Sequence, residues 1–94
     1  MFEIEQNDND SIILTGRLDA SQADKARSFL EQMSESCTLD FGDLDYISSA
    51  GLGVLLGTQK RLSESGHKLR MINLSKHIKD IFMYAGFDHI FEID

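Results

Sequence analysis

Proline is missing from this 94-residue chain, where average usage of about 5% would supply four or five. Turns must therefore come from Gly, Asn, Asp and Ser, and no proline-limited folding step is expected. A single cysteine, Cys37, has no partner for an intrachain disulfide and excludes any multi-cysteine metal site. It reads as an inert, partly buried residue, and a reducing compartment fits best. Basic residues are scarce: nine Lys plus Arg against sixteen Asp plus Glu leave a net charge of −7. That balance argues against nucleic acid and against anionic membrane surfaces as partners. Long apolar runs are also lacking, since Leu52 to Leu56 falls far short of the roughly 18–20 residues a membrane span needs. The first ten residues are acidic where a signal peptide would be basic and then apolar, so a cytoplasmic protein without membrane insertion is expected. What remains, 41% hydrophobic and 27% charged, suits one globular domain spanning residues 1–94.

Periodicity supplies the elements. Phe2 and Ile4 alternate with Glu3 and Glu5, and Ser11 to Thr15 forms a second strand beyond the polar turn Asn7-Asp8-Asn9-Asp10, giving an antiparallel hairpin. Gly16 is expected to end that strand. Ser21 and Asp24 resemble a capping box, and Ala23, Ala26, Leu30 and Met33 mark an amphipathic helix over residues 20–34. A third strand covers Thr38 to Phe41, with Asp40 facing solvent, and Gly42 to Tyr46 reads as a short connection. A helix from about Ser49 to Ser65 stops at Gly66. Lys68 to Leu74 is a fourth strand. Ser75 caps a third helix carrying Ile78, Ile81, Phe82 and Ala85 on one face, Gly86 ends it, and Ile90 to Ile93 is a last strand. The order β-β-α-β-α-β-α-β implies an α/β fold on a mixed, mostly parallel sheet.

One helix carries the information. At 100° per residue, Leu52, Leu55, Leu56 and Leu62 cluster on its core face with Gln59 among them. Ala50, Gly53 and Gly57, with Val54 beside them, fall opposite. Each mid-helix glycine costs about 0.8–1 kcal/mol relative to alanine, so a side-chain-free outward stripe calls for a reason. Close approach of another molecule is one; packing under a neighbouring element of the same chain is the other. At the helix start stand Ser48 and Ser49. A serine there is commonly an N-cap. A phosphoserine there is also tolerated, because free backbone N–H groups and the positive end of the helix dipole accept its charge. Both roles can coexist, with Ser48 capping and Ser49 modified. Asp43 and Asp45 lie nearby and would add repulsion toward an acidic partner. Asp19 reads as a turn or cap residue near Ser21, with a place beside the Ser49 loop as the alternative. Met83 and Lys79 fall on the outward side of the third helix, where Met83 would extend an interface.

The segments Gly16-Arg17-Leu18-Asp19, Leu39-Asp40-Phe41 and Leu44 through Ser48-Ser49-Ala50-Gly51-Leu52-Gly53-Val54-Leu55 resemble a stand-alone STAS domain of the bacterial anti-sigma factor antagonist type. The resemblance covers essentially the whole chain. It implies the STAS-like fold and a regulatory binding protein rather than an enzyme. In that family the serine after the aspartate of Asp-Ser-(Ser/Thr/Ala)-Gly-Leu-Gly is phosphorylated, and anchoring on Gly51-Leu52-Gly53 places it at Ser49. Here Ser48 replaces the aspartate, which keeps Ser48 as the alternative acceptor. The family's C-terminal helix is expected to be short or absent. The implied partners are a serine kinase of ATPase type that doubles as an anti-sigma factor, and a metal-dependent serine phosphatase. The implied partner-binding surface comprises Asp19, Ser48, Ser49, Ala50, Gly51, Gly53, Val54, Gly57 and Met83.

Other readings are weaker. A serine nucleophile would need a Gly-x-Ser-x-Gly elbow, which is absent, and His67, His77 and His89 are distant in sequence. The histidines and carboxylates lack metal-ligand spacing, so no metal or cofactor is expected. Gly51-Leu52-Gly53 is too short for a phosphate-binding loop, which disfavours nucleotide binding. The main alternative is a STAS subunit of a transporter or another signalling complex, docking through the same stripe without a phosphorylation cycle.

Overall fold

The computed structural model of the chain describes residues 1–7 and 11–94, and among them five strands form one sheet in the order β1-β2-β3-β4-β5. These are β1 (Phe2–Gln6), β2 (Ser11–Leu18), β3 (Cys37–Ile47), β4 (Leu69–Ile72) and β5 (Glu92–Ile93). The helices α1 (Ala23–Leu30), α2 (Ser49–Ser63) and α3 (Lys76–Tyr84) make the crossovers. β1 runs antiparallel to β2, and every later pair is parallel. The mixed, mostly parallel sheet expected from the element order is therefore what forms. Each crossover steps one strand in the same direction, so the right-handed rule puts all three helices on one face. Burial follows that rule. Phe2, Ile4, Ile12, Leu14, Leu39, Phe41, Leu69 and Met71 are buried, while Glu3, Glu5, Arg17, Arg70 and Glu92 are exposed on alternate positions. A parallel sheet usually needs cover on both faces. Here charged side chains suit the second face to water.

Several boundaries depart from the sequence reading. The hairpin is present, but its turn at Asp8, Asn9 and Asp10 lies outside the described residues. Gly16 does not end β2. It takes φ +89° inside the strand, where a Cβ would sit 2.2 Å from the Met1 carbonyl oxygen, so the glycine lets β1 close onto β2. The Ser21/Asp24 capping box is replaced by Asp19, which caps a 3₁₀ turn over Ala20–Gln22, and α1 then ends at Leu30 rather than reaching 34. Gly42 to Tyr46 is not a connection but the second half of β3, held by β2 through two register shifts. The fourth and fifth strands are shorter than expected, and Phe87–His89 is a 3₁₀ turn.

The third helix is seated by aromatic rings. Phe82 meets Phe41 and Phe87 edge-on, each at 5.8 Å between centroids, and Phe91 at 6.0 Å. Such pairs add about 0.5–1.5 kcal/mol each beyond their buried area. Ser75 caps α3 by accepting from the Ile78 N–H, and Gly86 takes the left-handed conformation after its end, as expected. Ile78 and Phe82 are buried there, whereas Ile81 is half-buried and Ala85 exposed.

α2 is rotated relative to the expected leucine face. Gly51, Val54, Leu55, Thr58, Gln59 and Leu62 are buried, while Leu52 is half-buried and Leu56 is 37% exposed. Gln59 explains itself: its Oε1 accepts from the Leu69 N–H at 2.7 Å, tying α2 to β4 where an apolar side chain would leave that donor unmet.

Candidate functional site

The C-terminal ends of β2 and β3 meet the start of α2. Leu18 closes β2, and its carbonyl accepts from the Ser48 N–H at 2.9 Å. This bond brings Asp19, the next residue, to the same end of the sheet as Ser48 and Ser49. Ser48 has extended backbone and its Oγ accepts from the Gly51 N–H at 3.1 Å, the geometry of an N-cap. Its carbonyl begins the helix by accepting from Leu52. Ser48 is half-buried by these contacts, and Ser49, the first helical residue, is exposed.

Asp19 is committed to its own turn. Its Oδ1 accepts from the Ser21 Oγ at 2.6 Å and from the Ser21 N–H at 3.0 Å. The Ser21 hydroxyl is the main reason the Asp19 carboxyl is held below its ordinary value of 3.8; burial opposes the shift, and the Ser21 and Gln22 backbone and Arg17 support it. A folded-state value below the unfolded one contributes stability above the unfolded pKa, and that contribution is lost as pH falls through the folded value. The thermal midpoint of the wild type should therefore drop more between about pH 5 and pH 2 than that of Asp19→Asn, measured side by side.

The glycines divide into two kinds. A Cβ at Gly51 would lie 2.8 Å from Leu18 Cγ and 3.0 Å from Ile47 Cγ1, so Gly51 faces inward against the strand ends. Val54 is 4% exposed and belongs to the core. Gly51 therefore serves packing, which corrects its placement on the partner surface, whereas Val54 packs in the core and still lines the groove between α1 and α2. Among the described residues, a Cβ at Gly53 or Gly57 would meet nothing within 4 Å. Among the described residues no other element packs over the stripe, and Ala50 beside it is exposed. Ser49, Gly53, Gly57 and Arg61 follow at i, i+4, i+8 and i+12, one row along α2. The lower part of this row floors a groove of about 200 Å³ against α1, with Arg27, Glu31, Thr58 and Arg61 on its walls. Arg61 donates to the Leu30 carbonyl at 2.8 Å, and Arg27 pairs with Asp24. Sequence reasoning missed Leu18, Arg27 and Arg61; the i+4 spacing of Arg61 from Gly57 was the available signal.

Met83 stands near the C-terminal end of α3. It is 48% exposed and lies about 10 Å along α3 from Lys76, by a rise of 1.5 Å per residue. Asp43 and Asp45 are exposed on the last part of β3. Asp40 is half-buried, and its Oδ1 accepts from the Gly42 N–H and from Asn73 Nδ2, so it holds the bulged strand rather than simply facing solvent. Cys37 is half-buried, and burial pushes its thiol pKa up, away from the reactive thiolate. His67 lies within 3.3 Å of Ser36 Oγ beyond the far end of α2, and His89 beside Asp88. Among the described residues, no helix is long and apolar enough to cross a membrane.

Comparison with known proteins agrees with this fold. The profile of the family described as "Mlab, STAS domain" matches residues 2–92. The anti-sigma-B factor antagonist of Bacillus subtilis (strain 168) is 30% identical over 95 residues, covering 97% of this chain and 87% of that protein. The anti-sigma-B factor antagonist of Listeria monocytogenes serovar 1/2a is 34% identical over 98 residues, covering 98% and 86%. In fold, the chain is similar to the Bacillus cell fate determinant SpoIIAA in its phosphorylated form, with a TM-score of 0.73 at 18% identity over 100% of this chain and 91% of that one. The chain belongs to the STAS domain family, with the anti-sigma factor antagonists among its relatives.

Proposed function

We propose that the chain is a cytoplasmic, phosphorylation-switched binding protein that antagonises an anti-sigma factor. Unmodified, it binds a serine kinase of ATPase type and so frees that kinase's sigma factor. The kinase transfers the γ-phosphoryl of ATP to Ser49 Oγ, releasing ADP and the hydroxyl proton, and the complex separates. A metal-dependent phosphatase hydrolyses the phosphoserine and resets the cycle.

The observation that carries this reading is the division of labour between two neighbouring serines. Ser48 holds the cap, and its hydroxyl oxygen is engaged by Gly51. Ser49 is exposed at the positive end of a fifteen-residue helix, and the cap, the strand contact and the first helical bond all run through Ser48. A phosphate on Ser49 would meet free N–H groups and leave those bonds intact. It would also head the open row of Gly53 and Gly57. This favours Ser49 over Ser48 as acceptor, and Asp19, Ala50, Gly53 and Gly57 as the surface around it.

Docking without a phosphorylation cycle, as a transporter or signalling subunit, is favoured by one departure: Ser48 stands where the resemblance expects an aspartate. One experiment separates the two. Incubation with ATP and lysate of the source cells should raise the intact mass by one phosphate, and Ser49→Ala should abolish the rise while Ser48→Ala does not. A chain that stays unmodified would leave the second reading.

A further inference from the structure

We infer that Leu18 is a positioning residue for Ser49, acting through Gly51; this rests on the reading of Ser49 as the phosphate acceptor. Leu18 is fully buried at the end of β2 and holds α2 in two ways. Its carbonyl bonds the Ser48 N–H at 2.9 Å, and its side chain closes on the Cα of Gly51, leaving no room for a Cβ. Ser49 lies between these two attachment points. Its direction is therefore set by a joint of one hydrogen bond and one tight contact, neither of which uses its own hydroxyl.

The joint makes a specific demand on substitutions. An alanine at position 51 would put its Cβ 2.8 Å from Leu18 Cγ, 3.1 Å from Leu18 Cδ2 and 3.0 Å from Ile47 Cγ1. Contacts that close force movement. Leu18 and Ile47 are packed inside the core, whereas the outer side of the first turn of α2 faces water. The turn moves outward, the Ser48–Leu18 bond stretches, and Ser49 turns with it. Shortening Leu18 removes the γ and δ carbons that create most of the conflict. The two substitutions are then compensatory rather than additive, the signature of residues in direct contact.

The test uses wild type, Gly51→Ala, Leu18→Ala and the double variant, read by amide exchange and ¹H–¹⁵N spectra of the free protein. Gly51→Ala should shift the Ser49 and Ala50 signals. It should also speed exchange of the hydrogen-bonded Ser48, Gly51 and Leu52 amides about tenfold, which corresponds to about 1.4 kcal/mol of local opening, without an equal change at Leu39 or Phe41. The double variant should bring the Ser49 signal and the first-turn protection back toward wild type, and with them the rate of phosphate uptake from ATP and lysate. Should Leu18→Ala not fold, Leu18→Val takes its place in the cycle. Unmoved Ser49 signals in Gly51→Ala, or exchange that accelerates additively in the double variant, would overturn the joint. Because exchange is read without any kinase, that outcome is separable from a failure of Ser49 to be phosphorylated at all.

Discussion

Replacing both Gly53 and Gly57 by alanine should make the isolated chain more stable and its partner complex weaker. The first effect follows from helix propensity. A mid-helix glycine costs about 0.8–1 kcal/mol relative to alanine, and both new methyl groups would enter open space. The double variant should gain about 1.5–2 kcal/mol in urea unfolding with an unchanged slope. The second effect follows from close approach. If a partner's backbone lies along the Ser49–Gly53–Gly57 row, two methyl groups overpack that contact at about 1–3 kcal/mol, a five- to 150-fold loss of affinity. The opposite signs make the result informative. A gain in stability with unchanged binding would mean that the glycines are tolerated rather than used.

A second large effect should separate the two serines. Ser48→Ala removes the cap accepted from Gly51 and should cost about 1 kcal/mol of stability. Ser49→Ala should change stability by less than about 0.5 kcal/mol, as expected for an exposed site. Ser49→Asp should leave the fold slightly firmer, by about 0.3–1 kcal/mol, because a carboxylate favours a helix N-terminus. The same substitution should weaken the proposed partner complex, since it places charge where a partner must exclude water, beside the exposed Asp43 and Asp45. Chemical unfolding and a binding titration on the same three variants check both halves. A Ser49→Asp protein that binds as wild type, or a Ser48→Ala protein as stable as wild type, would reverse the assignment.

Much of this architecture is legible in the sequence. Phe2 and Ile4 alternate cleanly because one sheet face is covered and the other is wet. Gly86 follows α3 where a left-handed residue is needed, and Ser75 caps it, both local requirements that residue type reports directly. The misreadings had non-local causes. Gly42, Asp43 and Asp45 are poor strand formers, so the second half of β3 looked like a loop; pairing with β2 through two register shifts outweighs that propensity. Gly16 looked like a strand end because its special φ serves contact with Met1, far away in sequence. α2 was rotated in the reading because apolar residues occupy most of its sides. Its actual orientation is fixed by Gly51 against Leu18 and by Gln59 bonding the Leu69 N–H, and hydrophobicity records neither.

The site divided along the same line. The outward glycine row and the paired serines could be read from spacing alone. Burial of Gly51 and Val54 depends on how three helices share one face of the sheet.

The most direct measurement is a calorimetric titration of the proposed anti-sigma factor partner with two preparations of this chain, one unmodified and one carrying a single phosphate on Ser49. A penalty of about 2–3 kcal/mol predicts an affinity about 30- to 150-fold lower for the phosphorylated preparation, with matching far-ultraviolet circular dichroism. Equal affinities with the phosphate verified on Ser49, or a phosphorylated chain that has lost its fold, would contradict the account.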